Sequence, residues 1–303
     1  MGAGATMSDA ITKESAAQGA IASLSIAIQT RIGRQKLRKI ILGSIPFLVL
    51  FVLWQMNTAF EWLPAVFIPP LGDVLGAAIT LQEDCVGIGG ALTMDNTCLL
   101  TNHIFSSIGR VILAAIIGLP LGIGFGILAG MNRTVSRYLE PVGVFANSIS
   151  GIAWIPLAIV WFGVGWMTTL FIMLNTIFWL MFFNAMLGVR VVAKVYEQSV
   201  VTMGGSRWDV IRHVYLPGAM PSIITGMRIS LGFGWRALIA AEMIGGDSGL
   251  GFMIFVSAEE FKIEEVFLGV IIISLIYMAT DRYLLAPLEK WTVERWGMIW
   301  KPT

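Results

Sequence analysis

The sequence predicts an all-α integral membrane protein of six spans, and three observations carry that expectation. Of its 303 residues 56% are hydrophobic and 13% charged, with a mean hydropathy of +0.80, too apolar for an ordinary water-solvated surface. Apolar runs of roughly 20 residues, the length needed to cross a hydrocarbon core of about 30 Å, recur at 40–60, 107–130, 141–163, 167–187, 221–244 and 266–286. Lys and Arg gather in alternate connections between those runs, the pattern of a chain threaded back and forth with its basic loops inside. The domain organisation that follows is a polar leader (1–39), a six-span membrane domain (40–290) and a short tail (291–303).

The leader ends in Arg31, Arg34, Lys36, Arg38 and Lys39, a cluster suited to fixing topology and to resting on anionic lipid. It is expected to stay on the chain, because the first apolar run follows it without a small-residue cleavage site. The opening Met1-Gly2-Ala3-Gly4-Ala5-Thr6 fits a myristoylation pattern and is read as a chance match. The leader, the 131–140 loop (Arg133, Arg137), the 188–220 loop (Arg190, Lys194, Arg207, Arg212) and the tail hold most of the basic residues. These regions are expected to face the cytoplasm, with both termini inside. The 61–106 loop carries Glu61, Asp73, Glu83, Asp84 and Asp95 with no Lys or Arg, and 245–265 has Lys262 alone among its acids; both are expected outside. Cys85 and Cys98 fall in the first of these outward loops. In an oxidising exterior they are candidate disulfide partners, a closure worth roughly 3 kcal/mol; two independent thiols fit the sequence as well.

On the second span Gly118, Gly122, Gly126 and Gly130 recur every fourth residue, drawing a smooth strip against which a neighbouring backbone can pack closely. Pro120 in that span and Pro156 in the third remove backbone hydrogen bonds and favour kinks. Asn147, Ser148 and Ser150 on the third span and Asn175 on the fourth are neutral candidates for lining a path. The fifth span is unusual in carrying Arg228, Arg236 and Glu242, since ionisable groups within a bilayer usually face a cavity or a partner. At 1.5 Å per residue, Arg236 lies roughly 20 Å beyond Pro221, past the bilayer middle. Its planar donor fork suits a sulfonate, carboxylate or nitrate. The competing reading pairs it with Glu242 or with an acid or carbonyl on another helix; on one straight helix Arg236 and Glu242 lie about 120° apart, which disfavours a pair within the helix and leaves one across a dimer open. Arg228 is expected to anchor or snorkel near the inner side.

Between the fourth and fifth spans, Gly204-Gly205-Ser206 is followed at fixed distance by Val214-Tyr215-Leu216-Pro217. That spacing resembles the coupling loop of ABC importer permeases, with Gln198, Ser199 and Val200 standing where the family has Glu-Ala-Ala and Glu197 next to them. Ala153-Trp154-Ile155-Pro156-Leu157, Trp161-Phe162-Gly163-Val164-Gly165, Gly234-Trp235, Ala240-Ala241-Glu242 and Ser248-Gly249-Leu250-Gly251-Phe252 resemble segments of the nitrate, sulfonate, taurine and bicarbonate branch. Ser257-Ala258-Glu259-Glu260-Phe261 is most similar to taurine and aliphatic-sulfonate permeases. Together the matches run over roughly 100–290, in the family's order.

The resemblance implies a six-helix type I importer fold and a multi-pass permease of the bacterial inner membrane. Its partners would be a second permease copy, two ABC ATPase subunits that carry ATP and Mg, an external substrate-binding protein, membrane lipid and a small anionic substrate, with no nucleic acid. It further implies that a coupling segment near 203–216 docks into the ATPase. In that segment Ser206 and Asp209 are suited to capping a short helix, and Arg207, Trp208 and Arg212 to anchoring it; an ordinary interfacial helix is the plainer reading. His213 is read as a surface polar group.

The chain itself is not expected to be an enzyme or to hold a cofactor or metal. It has no G-x-x-x-x-G-K-[ST] loop to cradle phosphates, and no metal set, nucleophile–base pair or cofactor fingerprint is visible. An autonomous anion channel or ion-coupled carrier is the alternative of another class, which inverted internal repeats would favour; none is visible in the hydrophobic pattern. Within the importer class, taurine or another alkanesulfonate is the expected substrate, with nitrate or bicarbonate as the alternative.

Overall fold

A computed structural model describes residues 42–60, 62, 64, 67–83 and 99–287. The basic leader, the Cys85 and Cys98 pair and the tail lie outside the described residues. The described chain is helical. Its described residues fall into two units, divided between Ile68 and Pro69. In the first, α1 (Leu42–Phe60) is a 19-residue helix apolar enough to cross a membrane, with Gln55, Asn57 and Thr58 towards its end.

The second unit opens with α2 (Leu71–Glu83), which follows Pro69-Pro70 and whose first turn is closed by Asp73 N–H donating to the Pro70 carbonyl at 3.1 Å. Next comes α3 (Leu99–Met131), 33 residues without a break at Pro120 and about 50 Å long at 1.5 Å per residue. Asn132 ends it and caps α4 (Arg133–Ser148) by accepting the Thr134 N–H at 2.9 Å.

The run 141–163, expected as one continuous span, is two helices. The first, α4, stops at Ser148; a single 3-10 turn (Gly151–Trp154) follows, and α5 (Ile155–Phe162) leaves at 91° to it. Pro156 does not kink a helix interior here. It lies in the first turn of α5, where its missing N–H has no acceptor to lose and its fixed φ suits a helix start.

At the centre of the unit runs α6 (Trp166–Val191). Ile172, Met173, Ile177, Met181, Phe182 and Ala185 on it are wholly buried, because α6 packs against α3 on one side and on the other against α9 (Leu216–Gly245). The α3 contact is where the glycine strip lies. A Cβ at Gly126 would stand 2.6 Å from the Phe182 carbonyl oxygen, and one at Gly130 2.6 Å from Val189 Cβ; only glycine permits that approach.

Two short helices, α7 (Lys194–Thr202) and α8 (Arg207–Val210), lead through a π turn (Ile211–Tyr215) directly into α9. The 245–265 segment, expected as a loop, holds α10 (Leu250–Glu259), turned by 47° from α9. Likewise the expected 61–106 loop contains α2 and the first turns of α3. The unit closes with α11 (Ile263–Ala279), continued by a π turn to Leu285.

Candidate functional site

Three groupings of polar residues stand out in this apolar frame. The first surrounds Arg236. Its guanidinium lies over the Phe233 ring, 5.1 Å from the centroid, on the exposed side of α9, and no carboxylate pairs with it among the described residues. Phe233 also lines a cavity of about 330 Å³ whose walls include Asn147, Ser150, Asn175 and Thr176. The break between α4 and α5 brings Asn147 and Ser150 there, and α6 brings Asn175. Asn175 Oδ1 accepts from the Trp179 indole at 3.1 Å, which leaves its amide nitrogen uncommitted. The cavity offers amide and hydroxyl donors with no carboxylate in its lining, and Arg236, which does not itself line it, lies over the Phe233 ring of its wall, an arrangement suited to an anion. Ser148 does not join it: its hydroxyl donates to the Phe145 carbonyl at 2.7 Å and closes the last turn of α4.

The second grouping centres on Glu242, and its partners Arg110, Ser107 and His103 are not assigned to it by any local pattern in the sequence. Glu242 pairs with Arg110 of α3 and not with Arg236: Arg110 Nη1 donates to Glu242 Oε1 at 2.7 Å, and both side chains are 0% exposed. The Ser107 hydroxyl bonds to the Glu242 carboxylate at 2.9 Å, and the Gly251 N–H donates to its other oxygen at 2.9 Å. Arg110 also reaches the Ser248 carbonyl and hydroxyl, at 2.7 and 2.8 Å, and Asp247 at 3.3 Å. His103 Nδ1 and Ser107 Oγ accept the N–H groups of Gly249 and Leu250. Gly249 adopts φ 109, and a Cβ there would fall within the Glu242 carboxyl group, so the turn between α9 and α10 is held down on a buried ion pair at a glycine that cannot be exchanged without strain. The signal was present: a cation inside the second apolar run is an intramembrane charge needing a partner. The partner, 132 residues away, is beyond the reach of any local pattern. Arg228, expected to anchor or snorkel, makes a two-pronged pair with Asp281, Nε and Nη2 each at 2.7 Å.

The third grouping is the segment between α7 and α9. Gly204 turns the chain with φ 84, and a Cβ at Gly205 would press on Val200. Ser206 and Asp209 form a capping box around α8: Ser206 Oγ accepts the Asp209 N–H at 3.3 Å, and Asp209 Oδ2 accepts the Ser206 N–H at 2.8 Å. Hydrogen bonds from the Ser206 hydroxyl and then its N–H hold the Asp209 carboxyl below the usual carboxylate range. Val210, Val214 and Tyr215 turn into the core, while Met203 and Trp208 are 86% and 67% exposed; Arg207 and Arg212 are exposed beside them. The Tyr215 hydroxyl donates to Glu197 at 2.7 Å, tying α7 to the entrance of α9. Leu216 and Pro217 lie within α9, half-buried, and Leu216 packs on the core. His213 Nδ1 lies 3.0 Å from the Asp209 carbonyl.

Residues 118–283 match the family described as binding-protein-dependent transport system inner membrane component. The taurine transport system permease protein of Escherichia coli is 33% identical over 239 residues, covering 79% of this chain and 84% of the relative. A bicarbonate transport system permease protein of Synechococcus elongatus is 33% identical over 187 residues, covering 61% of this chain and 67% of the relative. Among solved structures, an inward-facing form of the MetNI methionine ABC transporter superposes with a TM-score of 0.51 at 18% identity, covering 63% of this chain and 96% of the other, a likeness of fold.

Proposed function

Since this chain belongs to the family of binding-protein-dependent transport system inner membrane components and is a multi-pass permease subunit of an ABC importer, we propose that its cargo is a small anion, taurine or another alkanesulfonate. The observation that carries this reading is Arg236, an exposed cation without a carboxylate partner among the described residues, stacked on a ring that lines the cavity holding Asn147, Ser150 and Asn175. Arg236 attracts the anionic head through charge-assisted hydrogen bonds. The amide and hydroxyl donors fix its orientation, and Phe233 supplies an apolar wall for the carbon stem.

Transport would be driven from outside the chain. Two ABC ATPase subunits, holding ATP and Mg, grip α8 of each of two permease copies. Met203, Arg207, Trp208 and Arg212 enter the ATPase surface, and the Ser206–Asp209 cap holds them on a rigid turn. Because α8 runs through the π turn into α9 without a break, closure of the ATPases moves α9 and with it Arg236 and Phe233, switching access to the path. An external binding protein delivers the anion on the side opposite α8. The basic loops and both termini face the cytoplasm.

The test is ATP-dependent uptake into vesicles containing this permease with its ATPase and binding protein, using labelled taurine, a second sulfonate, bicarbonate and nitrate. Uptake of taurine or the sulfonate alone is the expected result. Bicarbonate, a second reading favoured by the equally identical bicarbonate permease, or nitrate taken up alone would keep the mechanism and move the cargo. Anion flux without ATP would overturn it in favour of a channel or carrier.

A further inference from the structure

A separate cavity of about 700 Å³ opens among the end of α3, the start of α4, the end of α6, α7 and Tyr215. Arg133, Arg137, Arg190 and Lys194 line it, with Glu197 as its one lining carboxylate. Arg190 is already neutralised: its Nη2 donates to Glu140 at 2.7 Å and to Ser136 Oγ at 2.6 Å. Glu197, which accepts the Tyr215 hydroxyl, is the one carboxylate in the wall against the remaining three cations. Arg133, Arg137 and Lys194 make no ion pair with any described carboxylate. Arg133 and Arg137 stand one helical turn apart on the same side of α4, and Lys194 approaches from the first turn of α7.

We propose that this cavity binds a phosphate group, carried either by an anionic lipid headgroup or by a free phosphate, on Arg133, Arg137 and Lys194. A phosphate there satisfies the unpaired guanidinium donors through charge-assisted hydrogen bonds and offsets the excess of positive charge. The site is distinct from the Arg236 cavity and does not depend on the nature of the cargo. Its wall includes the Tyr215–Glu197 hydrogen bond that braces the entrance to α9, so occupancy stiffens the segment through which α8 pulls.

The experiment uses the permease–ATPase complex in nanodiscs of phosphatidylcholine, with and without phosphatidylglycerol. Retained lipid is counted by native mass spectrometry after detergent washing, and inorganic phosphate is titrated by calorimetry. Preferential retention of phosphatidylglycerol, falling about thirtyfold in Arg133→Gln/Arg137→Gln and about fivefold in Lys194→Gln, supports the lipid source. Calorimetric binding of inorganic phosphate weakened by the same substitutions, without a lipid preference, supports the free anion. Arg137→Lys keeps the charge but loses the planar donor fork, and is expected to retain more of the binding than Arg137→Gln and less than the parent. If the double variant fails to assemble, Lys194→Gln on its separate helix decides. Lipid retention and phosphate binding both unchanged by these substitutions, or loss of the ATPase with lipid retention intact, would overturn the proposal.

Discussion

Two arginines placed in one membrane domain have opposite surroundings, and substitutions should separate them. Arg236 stacks on Phe233 and has no described counter-ion. Replacing it with Thr is expected to cut uptake of a sulfonate about thirtyfold at low substrate, the loss of a charge-assisted contact of about 2 kcal/mol, while the permease still co-purifies with its ATPase. Collapse of the complex would instead mark Arg236 as structural. Arg110 is wholly buried against Glu242. Arg110→Met or Glu242→Leu alone strands a buried charge and should destabilise the fold by roughly 3–5 kcal/mol. The double variant Arg110→Met/Glu242→Leu is expected to recover part of that loss in denaturant unfolding, a coupling of about 1–3 kcal/mol; strictly additive effects would refute the pairing. Sequence reasoning could rank Arg236 because nothing on its own helix satisfies it. It reads Glu242 as structural but cannot name its partner, which arrives from another helix through folding alone.

At the scale of elements, local signals read well where the physics is local. The spacing of Ser206 and Asp209 announces a cap, and the four-residue repeat from Gly118 to Gly130 announces a close helix contact; the structure has the cap around α8 and α6 laid along the strip. The break between α4 and α5 was hidden because Ile149, Ile152 and Ile155 carry the apolar pattern straight across the 91° turn. Hydropathy records what a segment dissolves in and not the direction it takes. Helix α10 was hidden for the converse reason: the acids from Glu259 onward make 245–265 look like a loop, although Leu250–Val256 is apolar. The exposed anchor on α8 gives the test at this scale. Trp208→Ala is expected to weaken ATPase binding by about 2 kcal/mol, roughly thirtyfold in pull-down titration, without altering the permease's own unfolding. The cap adds a pH dependence. Because the Asp209 carboxyl is held below its ordinary range, its support of α8 is complete above about pH 4 and is lost as pH falls through the lowered value. Coupling should therefore be insensitive to Asp209→Asn at acid extremes and sensitive to it at neutral pH.

For the whole molecule, charge distribution makes a prediction about sidedness. In a background with Cys85 and Cys98 replaced by Ser, a cysteine at Lys262 is expected to react with an impermeant maleimide from outside intact cells, and one at Arg212 only after lysis. Labelling in the reverse order would invert the proposed coupling geometry. Five of the six apolar runs fall on the long helices α1, α3, α6, α9 and α11, while 141–163 is split between α4 and α5; the way α6 is enclosed by α3 and α9 depends on side-chain fit between distant segments and is not legible in the sequence. The ion pair between α3 and α9 also bears on how the protein is made. During synthesis Arg110 leaves the ribosome 132 residues ahead of Glu242, so the cation must wait near water or lipid headgroups while the intervening helices insert. Its helix can take its final seat only when α9 arrives, which makes the maturation of this subunit a late event in its translation and leaves any chain cut short before Glu242 with an unpaired charge for quality control to recognise.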